Sequence, residues 1–504
     1  MHHRNALRLR YLGIDTYQHH VVFLRADCHV SVSEGFVSQS RVRVSGNGRT
    51  ILATVNVVKS DLLADGEASL SEAARLALGV GEHDVILLSH PAPVESLSLM
   101  RSKVYGNRLD DKAMEEIVKD IVLGRYSELH LAAFVTACAG SRLDEAEMIA
   151  LTRAMIKVGQ RIEWRSHNGN RIVVDKHCVG GLPGNRTTPI VVAIVAAHGL
   201  LIPKTSSRAI TSPAGTADTM EMLAPVELGI DDMRRVVEKE GGCIVWGGSA
   251  GLSPADDMLI RVERPLELDS EGQLIASVLS KKAAAGSTHV VVDIPLGPTA
   301  KVRTPEAAEV LRQRLQLVGH AVGLEVRAII SDGSQPVGRG IGPALEAYDV
   351  LAVLQGKPDA PADLRERSLT LASLIIEMAG SVPRNMGRQQ AEVLLENGAA
   401  WTKFQAICEA QGGMRIPPKS GHHHPVLARH KGRVTAIDNR RLARVAKLAG
   451  APKAVAAGVE FLAPIGTEVV KGQPLYVVHA EAQGELNYAL DYVSTQENTI
   501  ITVE

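Results

Sequence analysis

The chain has 504 residues, of which 45% are hydrophobic and 3% aromatic, and its 55 basic and 56 acidic residues give a formal net charge of −1. This length favours three or four domains with sizeable aliphatic cores. The balanced charge argues against a nucleic-acid or membrane-surface binder, and the scarcity of aromatic residues argues against a binding site built on ring stacking.

Residues 1–92 are predicted to form a β-rich N-terminal domain. Short apolar segments there alternate with Gly, Ser and Asp turns, which is typical of strands. The predicted strands cover 21–24, 41–44, 50–55 and 85–88. A segment with two prolines, 89–93, is predicted to be a linker.

The next region, 93–168, is predicted to be a helical domain, because its apolar residues recur at helical spacing. The predicted helices cover 112–122, 127–138 and 144–159, and Ser127 and Asp144 supply caps for the last two. A later segment, 255–285, is predicted to contribute to the same domain, since it contains a helix over 274–285.

Residues 169–420 are predicted to form a large α/β domain, because strand-like and helix-like segments alternate there. Such alternation predicts a largely parallel sheet with right-handed crossovers. The predicted strands cover 172–174, 244–246, 289–293 and 326–330, and the predicted helices cover 188–198, 230–239 and 305–318.

Residues 421–504 are predicted to form an α+β C-terminal domain. It contains a helix over 439–448 and strands near 459–462 and 475–479. The Gly-, Pro- and His-rich segment 411–425 just before it is predicted to be a loop.

The cysteines point to a reducing compartment. Five of them are scattered without CxxC spacing, which predicts neither a disulfide framework nor a zinc site. Because the N-terminus also lacks a signal-type apolar core and no segment reaches membrane-span length, the chain is predicted to be cytoplasmic.

The segment 175–188 is the most informative part of the chain. Lys176 and His177 follow an apolar strand, and a pair of glycines and the hydroxyls of Thr187 and Thr188 follow them at the start of a helix. Glycines let the backbone approach a ligand, and N–H groups at a helix start favour an anion. We interpret the segment as a phosphate site beside a reacting group, with Cys178 as a packed thiol.

A second segment, 204–221, is rich in hydroxyl groups. Ser206, Ser207, Thr211, Ser212 and Thr216 fall within one short Gly-containing stretch, and a helix cap would explain only one of them. The same stretch contains Arg208. This arginine is equally compatible with a forked contact to an anion and with an ion pair at the surface.

A third group lies further along the chain. Ser277 and Lys281 are four residues apart on one predicted helix, so they share a face, and Asp269 precedes that helix. The pair at 256–257 is interpreted as a helix cap after Pro254. The histidines at 422–424 are interpreted as a polar loop and not as metal ligands, because Cys and carboxylate ligands are missing at metal-binding spacing.

From about residue 97 onward the chain resembles the thymidine and pyrimidine-nucleoside phosphorylases, a family that includes AMP phosphorylases. The motifs that carry the resemblance are 175–188, 204–221, 277–282 and 432–439. The β-rich N-terminal segment resembles that of the longer, second-type thymidine phosphorylases and that of AMP phosphorylases. The resemblance implies an α/β fold like that of nucleoside phosphorylases and phosphoribosyltransferases, in which a helical domain accompanies a mixed or parallel-sheet domain.

The resemblance also implies a reaction. Inorganic phosphate displaces a nucleobase from C1 of the sugar, so phosphate is a substrate and no metal or organic cofactor is required. Thymidine is the implied substrate, giving thymine and 2-deoxy-D-ribose 1-phosphate, and AMP, giving adenine and ribose 1,5-bisphosphate, is the alternative. Homodimers or higher homo-oligomers are implied.

Site residues follow from the same resemblance, position by position. The implied catalytic residues are His177, Asp269 and Lys281, with Asp269 as the proton donor in AMP phosphorylase-like members. The implied phosphate ligands are Lys176, Gly181, Thr188, Ser206 and Thr216. The implied nucleoside contacts are Ser207, Arg208, Ala209, Ile210, Thr211, Ser212, Ser277 and Lys301, and Arg264 is a candidate for contacting the base.

Two features bear on the site: the first concerns phosphate handling, which is expected to rely more on backbone N–H groups and Thr188, and the second leaves the choice of substrate open. Cys178 stands where many thymidine phosphorylases have a phosphate-contacting serine, and a thiol is the weaker donor. Lys176 and His177 match thymidine phosphorylases, whereas the segment 207–212 matches AMP phosphorylases. A nucleotide-binding regulator without catalysis and an anthranilate phosphoribosyltransferase-like enzyme, which would need magnesium, are the alternatives from other classes.

Overall fold

The computed structural model describes residues 5–164, 171–209, 212–266, 268, 270–496 and 499–504, except for the side chain of Arg264. The chain forms two compact units. The first comprises Met1–Tyr105 and Lys119–Ala133, and the second comprises Gly106–Val118 and Phe134–Glu504.

The first unit contains a closed barrel. Its strands and helices are β1 (Ala6–Leu9), β2 (Val21–Arg25), α1 (His29–Glu34), β3 (Arg41–Gly46), β4 (Arg49–Val58), β5 (Glu67–Leu70), α2 (Glu72–Leu78), β6 (Val85–Ser89) and α3 (Ser96–Val104). The barrel order is β1-β5-β2-β4-β3-β6, and alternate residues such as Val42 and Val44 fill its interior. The four predicted strands are confirmed. β1 and β5 escaped prediction because each has only four residues, too few for a clear alternating pattern.

Three helices follow: α4 (Asp111–Val122), α5 (Glu128–Cys138) and α6 (Glu145–Val158). They confirm the three predicted helices, and each end agrees within one residue. Asp144 caps α6 in a capping box with Glu147, because each side chain accepts the other's backbone N–H.

The second unit is built on parallel strands that alternate with helices. In chain order the elements are β7 (Val174–Cys178), α7 (Thr187–Ala197), β8 (Ile202–Ser206), α8 (Thr216–Glu221), α9 (Ile230–Glu240), β9 (Gly242–Trp246), α10 (Gly247–Ala250), α11 (Pro254–Leu266), α12 (Glu271–Ala284), β10 (His289–Leu296), α13 (Pro305–Ala321) and β11 (Glu325–Asp332). Parallel pairing joins β11, β10 and β7, and also β8 and β9. A parallel bridge between Val173 and Leu201 places β8 beside β7. The predicted α/β fold with a largely parallel sheet is confirmed.

Helix α7 lies at the centre of this unit. It is apolar on all sides, and all ten residues from Thr187 to Ala196 are buried. The helix α12 packs on α6, where Gly272 leaves room for Leu143 and Met148, and Gln273 Nε2 donates to Val135 O. This later helix thus packs against helices that precede β7 in the chain.

The remaining elements cover one side of the sheet and then form the C-terminal region. They are β12 (Gly340–Ile341), α14 (Pro343–Leu354), α15 (Ala362–Met378), α16 (Gly387–Glu396), α17 (Ala399–Ala410), β13 (His422–Leu427), β14 (Gly432–Ile437), α18 (Asn439–Leu448), β15 (Gly458–Phe461), β16 (Glu468–Val469), β17 (Pro474–Ala480), α19 (Gln483–Thr495) and β18 (Ile501–Val503). Strands β12, β15, β17 and β13 form one sheet in that order. None of the described helices is long and apolar enough to cross a membrane.

Three sequence predictions were wrong in detail. The histidines at 422–424 belong to strand β13, an edge strand in which Pro425 is tolerated, and not to a loop. Strand β8 extends into the segment 204–221, interpreted only as a run of hydroxyl groups. Strand β7 continues through Cys178, so Lys176 and His177 lie in the strand and not in a turn after it. In each case strand pairing outweighed the weak β-propensity of polar residues.

The glycine before α14 is predicted to be essential for stability. Gly342 has φ +133° and ψ 156°, a region that essentially only glycine adopts, and a Cβ there would lie 2.3 Å from Ala457 O. Gly342→Ala should therefore cost at least about 3 kcal/mol in unfolding free energy. Gly356→Ala, at φ +61° in open space, should cost about 1 kcal/mol. Thermal unfolding of both variants measures the difference, and equal midpoints would contradict the packing argument.

Candidate functional site

The site forms at the carboxyl end of β7. Side chains alternate along a strand, so Asp175 and His177 share one face and Lys176 lies on the other. Strand β10 pairs with β7 on one side, and β8 lies on the other. Ligands of α/β sheets commonly bind outside this end of the strands.

Lys176 is a buried cation with hydroxyl neighbours. Its side chain is 1% exposed, and Nζ donates to Thr187 Oγ1 at 2.6 Å and to Thr188 Oγ1 at 3.5 Å, at the start of α7. Burial lowers the pKa of this amine. Across the described parts of the chain, no carboxylate lies within ion-pair distance of Nζ. A bound anion would supply the missing negative charge.

On the other face of β7, one buried carboxylate serves two lysines. Asp175 Oδ1 lies 3.5 Å from Lys204 Nζ on β8, and Asp175 Oδ2 lies 2.8 Å from Lys282 Nζ on α12. All three side chains are buried. Burial moves the pKa of Lys204 well below its ordinary value, against the attraction of Asp175. Two buried lysines therefore share one carboxylate.

His177 is half-buried and faces this cationic cluster. Burial moves the pKa of its imidazole well below 6.5, and Lys282, Lys204, Lys281 and Lys176 add to the shift in that order. The imidazole is therefore neutral at neutral pH, with one N–H to donate and one nitrogen to accept.

The glycine loop after β7 approaches a second loop closely. Gly181 has φ +81°, and a Cβ there would lie 2.5 Å from Lys301 N, so only glycine fits. Cys178 Sγ accepts a bond from Asn185 Nδ2 at 3.4 Å. Burial raises the pKa of this thiol to about 11, so Cys178 stays protonated and is not a nucleophile.

The hydroxyl-rich segment forms a tight loop between β8 and α8. Asp218 Oδ2 accepts the backbone N–H groups of Ala209 at 2.7 Å and Gly215 at 2.8 Å. A Cβ on Gly215 would overlap the backbone of Ser207 and Arg208. Ser207 and Ser212 are exposed. Ile210 and Thr211 lie outside the described residues.

Ser206 and Arg208 differ in what they can offer a ligand. Ser206 Oγ is buried and has no hydrogen-bond partner among the residues that the structure describes. The guanidinium of Arg208 forms ion pairs with Glu221, Asp218 and Glu227 and lies 4.9 Å from the ring centre of Trp246. The ion-pair interpretation of Arg208 is thus the one that the geometry favours.

Helix α12 supplies the other wall. Ser277 and Lys281 are one turn apart and both half-buried. Lys281 Nζ lies 2.5 Å from Asp256 Oδ2, so Asp256, in the first turn of α11, is a buried ion-pair partner as well as a favourable charge at the helix start. Asp269 and the side chain of Arg264 lie outside the described residues.

Sequence reasoning missed five residues of this site: Asp175, Lys204, Lys282, Arg186 and Glu346. Arg186 Nη1 donates to Thr216 Oγ1 at 2.7 Å, and its Nε donates to Glu346 Oε2 at 2.6 Å. Four of the five are buried. Charged residues within otherwise apolar segments were the available signal, since such residues are seldom buried without a partner. No group of residues suited to hold a metal occurs in the described chain.

Comparison with known proteins agrees with this architecture. Residues 97–159 match the family described as "Glycosyl transferase family, helical bundle domain", 170–401 match "Glycosyl transferase family, a/b domain", and 433–498 match "Pyrimidine nucleoside phosphorylase C-terminal domain". A solved anthranilate phosphoribosyltransferase from Thermus thermophilus shares the fold, with TM-score 0.51 and 18% identity over 62% of this chain and 98% of that one.

Several relatives match along nearly the whole chain. "Putative thymidine phosphorylase 2" of Acidovorax sp. (strain JS42) is 61% identical over 97% of this chain and 94% of its own length. The "Putative thymidine phosphorylase" proteins of Polaromonas sp. (strain JS666 / ATCC BAA-500) and Legionella pneumophila (strain Corby) are 59% and 57% identical, each over 99% of this chain and 97% and 96% of their own lengths. The chain therefore belongs to the thymidine phosphorylase family.

Proposed function

We propose that this protein catalyses the reversible phosphorolysis of thymidine to thymine and 2-deoxy-D-ribose 1-phosphate. The observation that carries the proposal is the buried amine of Lys176 at the start of α7, which has no carboxylate within ion-pair distance among the residues that the structure describes. An oxyanion beside it would offset the cost of burying the charge. The identities of the sugar and of the base are inferred from the family.

Phosphate would bind between the glycine loop and the hydroxyl loop. Its proposed ligands are Lys176, Gly181, Thr188, Ser206 and Thr216. Ser206 Oγ is a buried hydroxyl whose hydrogen-bonding capacity is unused among the described residues, so it suits a phosphate oxygen. The hydroxyl and backbone donors around it belong to elements held by internal bonds, which limits reorganisation when the ligand binds.

Phosphorolysis needs opposite charges in two places. A phosphate oxygen forms the new bond to C1 as the C–N bond to the base breaks, and the sugar becomes positive while the base becomes negative. Phosphate stabilises the sugar, and a donor near the base stabilises its growing negative charge. We propose that the neutral imidazole of His177 donates a hydrogen bond to a base carbonyl and that Ser277 and Lys281 hold the pyrimidine edge. Asp269 remains a proposed proton donor.

Further residues would complete the nucleoside site. Ser207, Ala209, Ile210, Thr211, Ser212 and Lys301 are proposed contacts, and Arg208 acts through its carboxylate network to hold the loop. We also propose a homodimer or higher homo-oligomer in the cytoplasm, which follows from the family.

A substrate panel tests the proposal. Incubated with phosphate and thymidine, uridine, AMP or CMP separately, the protein should release free base from thymidine at the highest kcat/KM.

Lys176→Met should lower kcat/KM by about a hundredfold or more, because it removes the cation from a preorganised anion site. The exposed Lys357→Met is the matched control and should keep full activity. Turnover of AMP and CMP alone would replace thymidine phosphorolysis with nucleotide phosphorolysis, and full activity of folded Lys176→Met would contradict the phosphate site.

The pH profile is predicted to respond to Lys282. Lys282→Met removes a cation that lowers the pKa of His177 and leaves more of the Asp175 charge facing the imidazole, so that pKa should rise towards its ordinary value. If catalysis needs neutral His177, the acid-side fall in kcat/KM moves to higher pH. NMR titration of labelled histidines, with His177→Gln for assignment, measures the shift directly. The exposed Lys239→Met should leave the titration unchanged, and an unmoved His177 titration in Lys282→Met would refute the electrostatic argument.

A further inference from the structure

The side chain of Arg186 joins three elements around the site. It precedes α7, where its guanidinium is 12% exposed. Nε donates to Glu346 Oε2 of α14 at 2.6 Å, Nη1 donates to Thr216 Oγ1 at 2.7 Å, and Nη2 donates to Ala214 O at 3.1 Å. One rigid fork therefore ties the start of α7 to the start of α8.

Glu346 fixes the position of this fork. Its carboxylate is 2% exposed and also accepts bonds from Thr219 Oγ1 at 2.8 Å and from Gly342 N at 3.3 Å. Burial raises the pKa of Glu346, and the neighbouring Arg186 opposes that shift. Because an unpaired carboxylate here would be costly, the guanidinium is held in one place.

The bond from Arg186 determines what the Thr216 hydroxyl can do. A threonine hydroxyl has one proton to donate, and a guanidinium can only donate. Thr216 Oγ1 must accept from Arg186, so its own proton is available to a different acceptor. An oxyanion between α7 and α8 is such an acceptor. Lys176 and Thr187 show the same arrangement, with the ammonium donating to the hydroxyl oxygen.

We propose that Arg186 is a positioning residue for phosphate, which orients the Thr216 hydroxyl as a donor and fixes its distance from the start of α7. The inference rests on the proposed function, because it takes phosphate as the anion. Arg186 itself need not touch the ligand. Its contribution should therefore pass through Thr216.

A double-mutant cycle tests this route. Phosphate affinity is measured by calorimetry without nucleoside for the wild type, Arg186→Lys, Thr216→Val and the double variant. Lysine keeps a charge beside Glu346 but loses the fork, so Arg186→Lys should weaken phosphate binding about tenfold or more. In the Thr216→Val background the same change should have little further effect, because the hydroxyl that it orients is gone. Equal effects of Arg186→Lys in both backgrounds would overturn the inference.

Controls separate this role from general stability. Thr216→Ser keeps a hydroxyl and should retain most of the phosphate affinity. Arg388→Lys alters a comparable fork to Glu366 on α15 and should leave phosphate binding unchanged. If Arg186→Lys does not fold, the double variant Arg186→Gln/Glu346→Gln removes both charges together. It should also weaken phosphate binding. Unchanged phosphate affinity in that folded variant would count against the inference.

Steady-state kinetics supply a second readout. Arg186→Lys should raise the KM for phosphate by a similar factor and change the KM for thymidine by less than about twofold. If the wild type binds no phosphate, the proposed function itself is contradicted. If the wild type binds phosphate and Arg186→Lys binds it equally well, only the role of Arg186 is contradicted.

Discussion

Buried lysines with few carboxylates in reach surround the carboxyl end of β7. Lys176 has hydroxyl neighbours within the described structure, and Asp175 is shared between Lys204 and Lys282. Burying charge without a counter-ion is costly, so a protein that keeps such lysines gains from an anion in the same place. The carboxyl end of β7 is thus prepared for a ligand whose charge completes the interior, and the geometry of the surrounding loops follows from that need.

Those loops are held by carboxylates that are already engaged with arginines or backbone N–H groups. Asp218 gathers the backbone of the hydroxyl loop, Glu346 holds Arg186, and Glu221 shares in holding Arg208. Each acidic group pairs with an arginine or with backbone N–H groups, which removes it from competition with an incoming anion. Hydroxyl and backbone donors are left towards the site. A site that binds and activates phosphate benefits from this separation, since its donors are in position before the reaction begins.

Local sequence motifs allowed much of this arrangement to be predicted. Features that depend on strand pairing or on ion-pair partners distant in sequence could not be predicted. The glycines, Thr188 and the helix that follows them could be placed from residue types alone, because helix starts and positive-φ turns have strong local preferences. The strand character of Lys176 and His177 could not, since it arises from pairing with β10, which lies more than a hundred residues away in sequence. Nor could the partners of Arg208 and Arg186 be predicted. An arginine in a sequence is compatible with an anionic ligand and with an internal carboxylate, and only the fold brings Glu221 or Glu346 within reach.

Neighbouring lysines on α12 link the two walls of the site. Lys281 reaches Asp256 on α11, at the proposed base-binding side, whereas Lys282 reaches Asp175 on β7, on the same face of that strand as His177. A motion that moved α12 away from the sheet would have to separate a buried ion pair 2.8 Å long, and breaking such a pair costs several kcal/mol, on the order of 3–5. Separating α12 from β7 would therefore be costly in this chain. While that ion pair is intact, the groups proposed to hold the base keep a fixed relation to the strand that carries Lys176 and His177, which favours an in-line reaction between phosphate and sugar.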